Sequence, residues 1–148
     1  MKYLFDTNVL LKYLREDEFK DRLERDLDMS NPENQNITSI VTVGELMSLS
    51  LRNNWGVKRN EKLNYIIEKF IIADIRYLDL ARRYAEIDAF SQGKLKDKPL
   101  KMSSRNMGKN DLWIAATASL ADARLITFDQ DFEHLNQVYF ELILMTNQ

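Results

Sequence analysis

The sequence predicts a single α/β domain: a mainly parallel central sheet of about five strands, flanked by helices on both faces. Three observations predict it. Short β-prone runs alternate with stretches of helical periodicity from one end of the chain to the other. One helical stretch, Asn110 to Leu120, is apolar nearly all round and must be buried on most sides. The 148 residues, 45% apolar and 30% charged, have the size and composition of one soluble domain. No repeat, low-complexity tract or linker divides them, so residues 1–148 are expected to form one unit.

The elements follow in order. Lys2 to Phe5 is a short strand, and Asp6-Thr7-Asn8 turns it into a helix carrying Val9, Leu10, Leu11 and Leu14. Either Asp6 or Thr7 is placed to cap that helix. Phe19, Leu23 and Leu27 recur every four residues within Arg15 to Asp28, one apolar stripe of a second helix. A polar loop from Ser30 to Asn36 leads to a brief strand, Ile37 to Ser39. Ile40, Val43, Leu46, Met47 and Leu51 then mark a helix ended by Asn53-Asn54-Trp55-Gly56. Lys62 to Ile72 reads as a further helix, Ile75 to Leu78 as a strand, and Leu80 to Phe90 as a helix stopped near Gly93. Gly93 to Lys109 is a loop. The apolar helix follows it, then a strand from Arg124 to Phe128, a helical turn from Asp131 to Leu135, and a last strand from Tyr139 to Leu144.

Composition removes several function classes. There is no cysteine, which excludes a disulfide framework, a thiolate zinc site and a thiol nucleophile. A single histidine, His134, argues against a Ser-His-Asp triad or a poly-His metal site, and on its own it reads as structural or surface. The N-terminal apolar run is broken by Asp6 and Asn8, and no later run approaches the roughly 18 apolar residues a membrane span needs. A cytoplasmic protein without membrane contact is expected. The net charge of −2 conceals a basic strip: Lys94, Lys96, Lys98, Lys101, Arg105 and Lys109 stand against one acid, Asp97. A solvated loop is the plain reading of such a strip. A polyanion contact through Lys101, Arg105 and Lys109 is the functional one.

In a parallel sheet, ligands bind beyond the carboxyl ends of the strands. Asp6 follows the first strand, Glu45 lies in the second turn of the helix after the second, Asp111 opens the apolar helix, and Asp129 and Asp131 follow the Leu-Ile-Thr-Phe strand. Taken singly, each has a plain structural reading as a cap, a turn residue or a surface residue. Gathered on one edge, carboxylates repel unless a proton or cation intervenes. Mg²⁺ or Mn²⁺ suits oxygen donors, and Mg²⁺ commonly takes its remaining ligands from phosphates. The pattern points to phosphate chemistry. A dehalogenase-type phosphatase would need a second acid two residues after Asp6, where Asn8 stands. A receiver domain would need a late lysine that the last strand region lacks.

Four segments, read together, resemble a known family: Met-Lys-Tyr-Leu-Phe-Asp6-Thr7-Asn8, Val-Gly44-Glu45-Leu46, Asn110-Asp111-Leu112-Trp113-Ile114-Ala115-Ala116, and Leu-Ile-Thr127-Phe-Asp129-Gln-Asp131-Phe132. They look like the ordered motifs of PIN-domain ribonucleases, and more narrowly of the VapC toxins of bacterial toxin–antitoxin pairs. The resemblance implies a metal-dependent endoribonuclease acting on RNA, with tRNA or another structured RNA as the expected substrate. It implies that Asp6, Glu45, Asp111 and Asp129 hold Mg²⁺ or Mn²⁺, with Asp131 as a further ligand and Asp129 the closer of that pair. Asn8 and Thr127 match polar positions that hydrogen-bond around the carboxylates. A homodimer and an inhibitory antitoxin are implied as partners. The long basic loop from Gly93 to Lys109 departs from the family's short Gly-containing one. The alternative is a non-catalytic RNA- or protein-binding module on the same fold. Trp113 and Trp55 are expected to pack in the interior.

Overall fold

The computed structural model describes residues 1–147. It contains, in chain order, β1 (Lys2–Phe5), α1 (Thr7–Arg15), α2 (Asp17–Asp26), β2 (Gln35–Thr38), α3 (Ile40–Arg52), α4 (Val57–Lys69) and β3 (Ile71–Ile72). After these come α5 (Tyr77–Ser91), α6 (Lys109–Ala121), β4 (Arg124–Thr127), a 3-10 helix (Gln130–Leu135) and β5 (Leu142–Leu144). The strands form one sheet in the order β3-β2-β1-β4-β5. Every pairing is parallel, with Leu4 beside Ile37 on one side of β1 and Phe5 beside Ile126 on the other. The expected α/β architecture is therefore the observed one.

Alternation along the strands feeds two cores. In β1, Tyr3 and Phe5 face one side and Leu4 the other; in β4, Ile126 and Leu125 divide in the same way. This is the two-residue period of a strand buried on both faces. The first core takes Val9, Leu10 and Leu14 of α1, Phe19 and Leu23 of α2, Leu46 of α3, and Leu63 and Ile66 of α4. The second takes Ile87 and Phe90 of α5, Leu112, Ile114, Ala115, Ala116 and Ala118 of α6, and Phe132 and Leu135 of the 3-10 helix. The apolar helix is thus buried on most of its faces, as its composition requires. Its alanines leave room for α5 to pack close, with the Tyr84 and Trp113 rings 4.1 Å apart.

The third strand lies elsewhere than expected. Ile71–Ile72 forms β3 beside Ile37 and Thr38, whereas the Ile75 to Leu78 segment supplies the start of α5. Phe70, the C-cap of α4, is already extended, so the helix expected to reach Ile72 stops at Lys69, and it begins five residues early, at Val57. A two-residue strand leaves no period to detect, and its isoleucines extend the apolar pattern of the helix before it. Trp55 is buried, as expected, with the Arg59 guanidinium 5.6 Å from its ring centroid. His134 is buried too, its Nε2 2.7 Å from Ser91 Oγ.

Candidate metal centre and cleft

The sheet order puts β1 at the switch point: the chain adds β2 and β3 on one side of it, then β4 and β5 on the other. Crossovers leaving in opposite directions open a crevice beyond the carboxyl end of such a strand. Asp6 occupies that position. It is 4% exposed and serves as the N-cap of α1, its Oδ1 accepting the Thr7 amide at 2.7 Å. Its other oxygen accepts from Thr127 Oγ1 at 2.7 Å, across 121 residues of sequence. Burial holds the Asp6 carboxyl above the usual carboxylate range, against the lowering effect of the Thr127 and Thr7 bonds. The charges of Glu45 and Asp129 push in the same direction as burial.

Glu45 comes from α3. Ser39 caps that helix by accepting the Thr42 amide at 3.0 Å, which starts α3 immediately beyond β2 and sets Glu45 one turn further on. Thr7 Oγ1 donates to Glu45 Oε1 at 2.8 Å and stands 3.0 Å from Thr42 Oγ1. The turn after β1 and the start of α3 are thereby tied together at the carboxylate. From the sequence, Thr7 offers only a possible helix cap. Its role in holding Glu45 depends on a contact 38 positions away, which no local pattern reveals.

Asp111 stands in the first turn of α6, whose N-cap, Gly108, offers no side chain. Its carboxyl is pushed up to about 6, first by burial and then by the charges of Asp6, Asp129, Glu45 and Asp131. Asp129 is oriented by Thr127, whose hydroxyl oxygen accepts the Asp129 amide at 3.0 Å. Asp129 then caps the 3-10 helix by accepting the Asp131 amide at 2.9 Å. Asp131 itself is exposed. Asp129 acts on both Asp6 and Asp111, whereas the charge of Asp131 bears on Asp111 and His134. Thr127 is thus a hub, donating to one carboxylate and positioning the next.

Two polar or aromatic positions differ from expectation. Asn8 is exposed and hydrogen-bonds none of the carboxylates; it lines a cleft of about 720 Å³ with Thr7, Glu45, Asn110 and Trp113. Trp113 is half-buried, packing one side on Tyr84 and presenting the other to this cleft. Its neighbours along α6 are apolar, so its place at the cleft was not visible in the helix pattern. Of the basic residues, Lys101 and Lys109 are exposed, whereas Arg105 is half-buried and its Nη1 donates to the Gln130 carbonyl at 3.4 Å.

Among the described residues, none of these five carboxylates forms an ion pair with lysine or arginine. Nor are three acidic or histidine side chains among those residues spaced to close on a metal ion as they stand. The arrangement is an electrostatically coupled ring of hard oxygen donors rather than a finished cage. That donor set fits a hard divalent cation such as Mg²⁺ or Mn²⁺, which retains several waters and needs only a few protein ligands. Asp6, Glu45, Asp111 and Asp129 are the residues that would hold it, with Asp131 at the rim.

A family model described as PIN domain matches residues 3–138. Among solved structures, VapBC2 from Rickettsia felis, bound to a promoter DNA fragment, is similar over 97% of this chain and 98% of that one, at 22% identity and a TM-score of 0.73. VapBC-1 from nontypeable Haemophilus influenzae is similar over the same shares, at 23% identity and a TM-score of 0.72. A toxin–antitoxin complex from Klebsiella pneumoniae covers 88% of this chain and 89% of its own, at 25% identity and a TM-score of 0.61. No curated protein matches the chain.

Proposed function

The chain belongs to the PIN-domain family, and on that premise we propose that it is a metal-dependent endoribonuclease, the toxin of a toxin–antitoxin pair. One observation carries the reading. Asp6, Glu45, Asp111 and Asp129 converge beyond the switch-point strand, coupled to one another and without a cationic partner among the described residues.

Mg²⁺ or Mn²⁺ held there supplies Lewis-acid stabilisation of a phosphoryl group and a more acidic water for its hydrolysis. The protein's own part is orientation and charge. Thr127 and the Thr7 amide fix both oxygens of Asp6, and the Thr7 hydroxyl holds Glu45. Hydrogen bonds spent in this way keep the ligands at defined angles while leaving lone pairs free. Asp111, its carboxyl pushed up to about 6, is largely ionised at neutral pH and would serve there as an oxygen donor to a cation. The cleft beside Glu45, with Asn110 and Trp113 on its wall, is placed to receive the nucleotide flanking the scissile phosphate.

The choice of partners is supported by solved relatives, one a toxin–antitoxin complex and another a member of the VapBC family of toxin–antitoxin systems. We assign this chain a cognate antitoxin and a second copy of itself. Ile40, Met47 and Leu51 support this, lying exposed at helical spacing on α3, where a partner would cover them. No helix among the described residues is long and apolar enough to cross a membrane.

The test is to incubate the purified chain with total RNA in Mg²⁺, in Mn²⁺ and in EDTA, beside the Asp6→Asn variant, and to sequence the new 5′ ends. Discrete metal-dependent cuts, absent in the variant, are expected. Equal cutting by the variant overturns the site assignment. Metal binding with no cutting of any RNA favours the non-catalytic binding module on the same fold.

A further inference from the structure

The segment between α5 and α6 carries five cations against Asp97, a sixth, Lys109, opens α6, and the segment leaves and returns at one place. Ser91, the last residue of α5, accepts the Arg105 amide on its carbonyl at 2.7 Å. Its hydroxyl reaches His134 Nε2 at 2.7 Å and Met107 Sδ at 3.4 Å. Leu95, Leu100 and the buried Met107 pack into the second core. The basic segment is therefore clamped along its length, and its far end runs into α6 two residues before Asp111.

The clamp sorts the six cations into two groups. Lys98 is engaged, its Nζ 3.4 Å from Glu86 Oε2 and 4.4 Å from the Tyr139 ring centroid. Arg105 is engaged through the Gln130 carbonyl. Lys94, Lys96, Lys101 and Lys109 are exposed and have no ion-pair partner among the described residues. Free lysines on a frame that is otherwise pinned lose little backbone entropy on binding, which favours contact with a flexible polyanion.

We propose that this segment is a track for the RNA phosphate backbone. Lys94, Lys96, Lys101 and Lys109 make the phosphate contacts, and Arg105 acts as a tether that positions them rather than as a contact. The proposal rests on the nuclease reading for the identity of the polyanion, and electrostatics supports that choice. The chain's net charge is −2 and its catalytic edge is a ring of carboxylates, so neither draws RNA in. A local basic surface adjoining that edge is what holds a phosphodiester chain against its repulsion. Arg105, Met107 and Asp131 line one shared cleft of about 380 Å³, which joins the track to the acidic rim.

Salt dependence tests it. Each phosphate contact to a single strand contributes about 0.7 to the slope of log affinity against log salt. Binding of a labelled single-stranded oligouridine would be measured in the Asp6→Asn background, which removes cleavage. Lys94, Lys96 and Lys101 replaced together by Gln should lower the slope by about 2. The same number of substitutions at Lys2, Lys58 and Lys69, exposed but remote, should leave it unchanged. Arg105→Gln should weaken binding while removing less than one lysine's share of the slope. Equal losses from the track and remote sets, or no loss from the track set, overturn the proposal. The nuclease reading fails separately: if the unmodified chain cuts no RNA while the lysine-dependent slope persists, the track stands without it.

Discussion

Replacing Asp111 by Asn should stabilise the protein in the absence of divalent metal. The Asp111 carboxyl titrates at about 6 rather than 3.8, so its charge at neutral pH works against the fold. At about 1.4 kcal/mol for each pH unit, that is at most roughly 3 kcal/mol. Asp111 is half-exposed, so solvent screening reduces the figure to about 1–2 kcal/mol. A negative charge in the first turn of α6 is favoured by the helix dipole by about 0.3–1 kcal/mol, which trims the gain without reversing it. The sign with pH follows from linkage. Below 3.8 the carboxyl is protonated in both states and costs nothing; the cost grows as pH rises towards 6 and is complete above it. Thermal unfolding in EDTA should therefore show Asp111→Asn melting roughly 2–6 °C above the parent at pH 7.5. The difference should shrink at pH 5 and vanish in more acid solution. A variant that melts at or below its parent at pH 7.5, with no pH dependence, would refute the idea that the carboxylates strain this edge.

Two further outcomes follow from the same geometry. Thr127→Val removes the donor to Asp6 and the acceptor for the Asp129 amide inside a fully buried site. It should cost about 1–3 kcal/mol in urea unfolding and reduce cleavage, and a loss under about 0.5 kcal/mol would show that the hub holds neither carboxylate. Mg²⁺ at about a hundred times its dissociation constant should stabilise the parent chain by about 2.7 kcal/mol, read as a rise in melting temperature. Asp6→Asn should lose most of that rise, and an equal rise in both proteins would place the ion elsewhere.

The legible part of this protein was whatever a local pattern could carry. Alternating β-prone and helical stretches fixed the layer architecture, because period two and period 3.6 bury different faces. The near-continuous apolar run in α6 fixed its burial. Asp6, Asp111 and Asp129 could be read because each follows a strand or opens a helix, positions that topology sends to one edge. β3 could not be read, since two isoleucines continue the pattern of α4. Trp113 could not be placed at the cleft, since apolar neighbours surround it in sequence.

By itself the sequence determined the element order, the parallel sheet and the set of acids at its carboxyl edge. The tertiary structure decided that β1 is the switch-point strand, which depends on β2 and β4 choosing opposite sides of it. It also decided which hydroxyls hold which carboxylates: Thr127 on Asp6 across 121 residues, Thr7 on Glu45 across 38. Such bonds join residues with no shared periodicity, so they arise only when packing brings distant strands together. Arg105 shows the same division at the surface. Sequence gives it a charge like that of its neighbours, but the clamp at Ser91 and the Gln130 carbonyl separate it from the four free lysines.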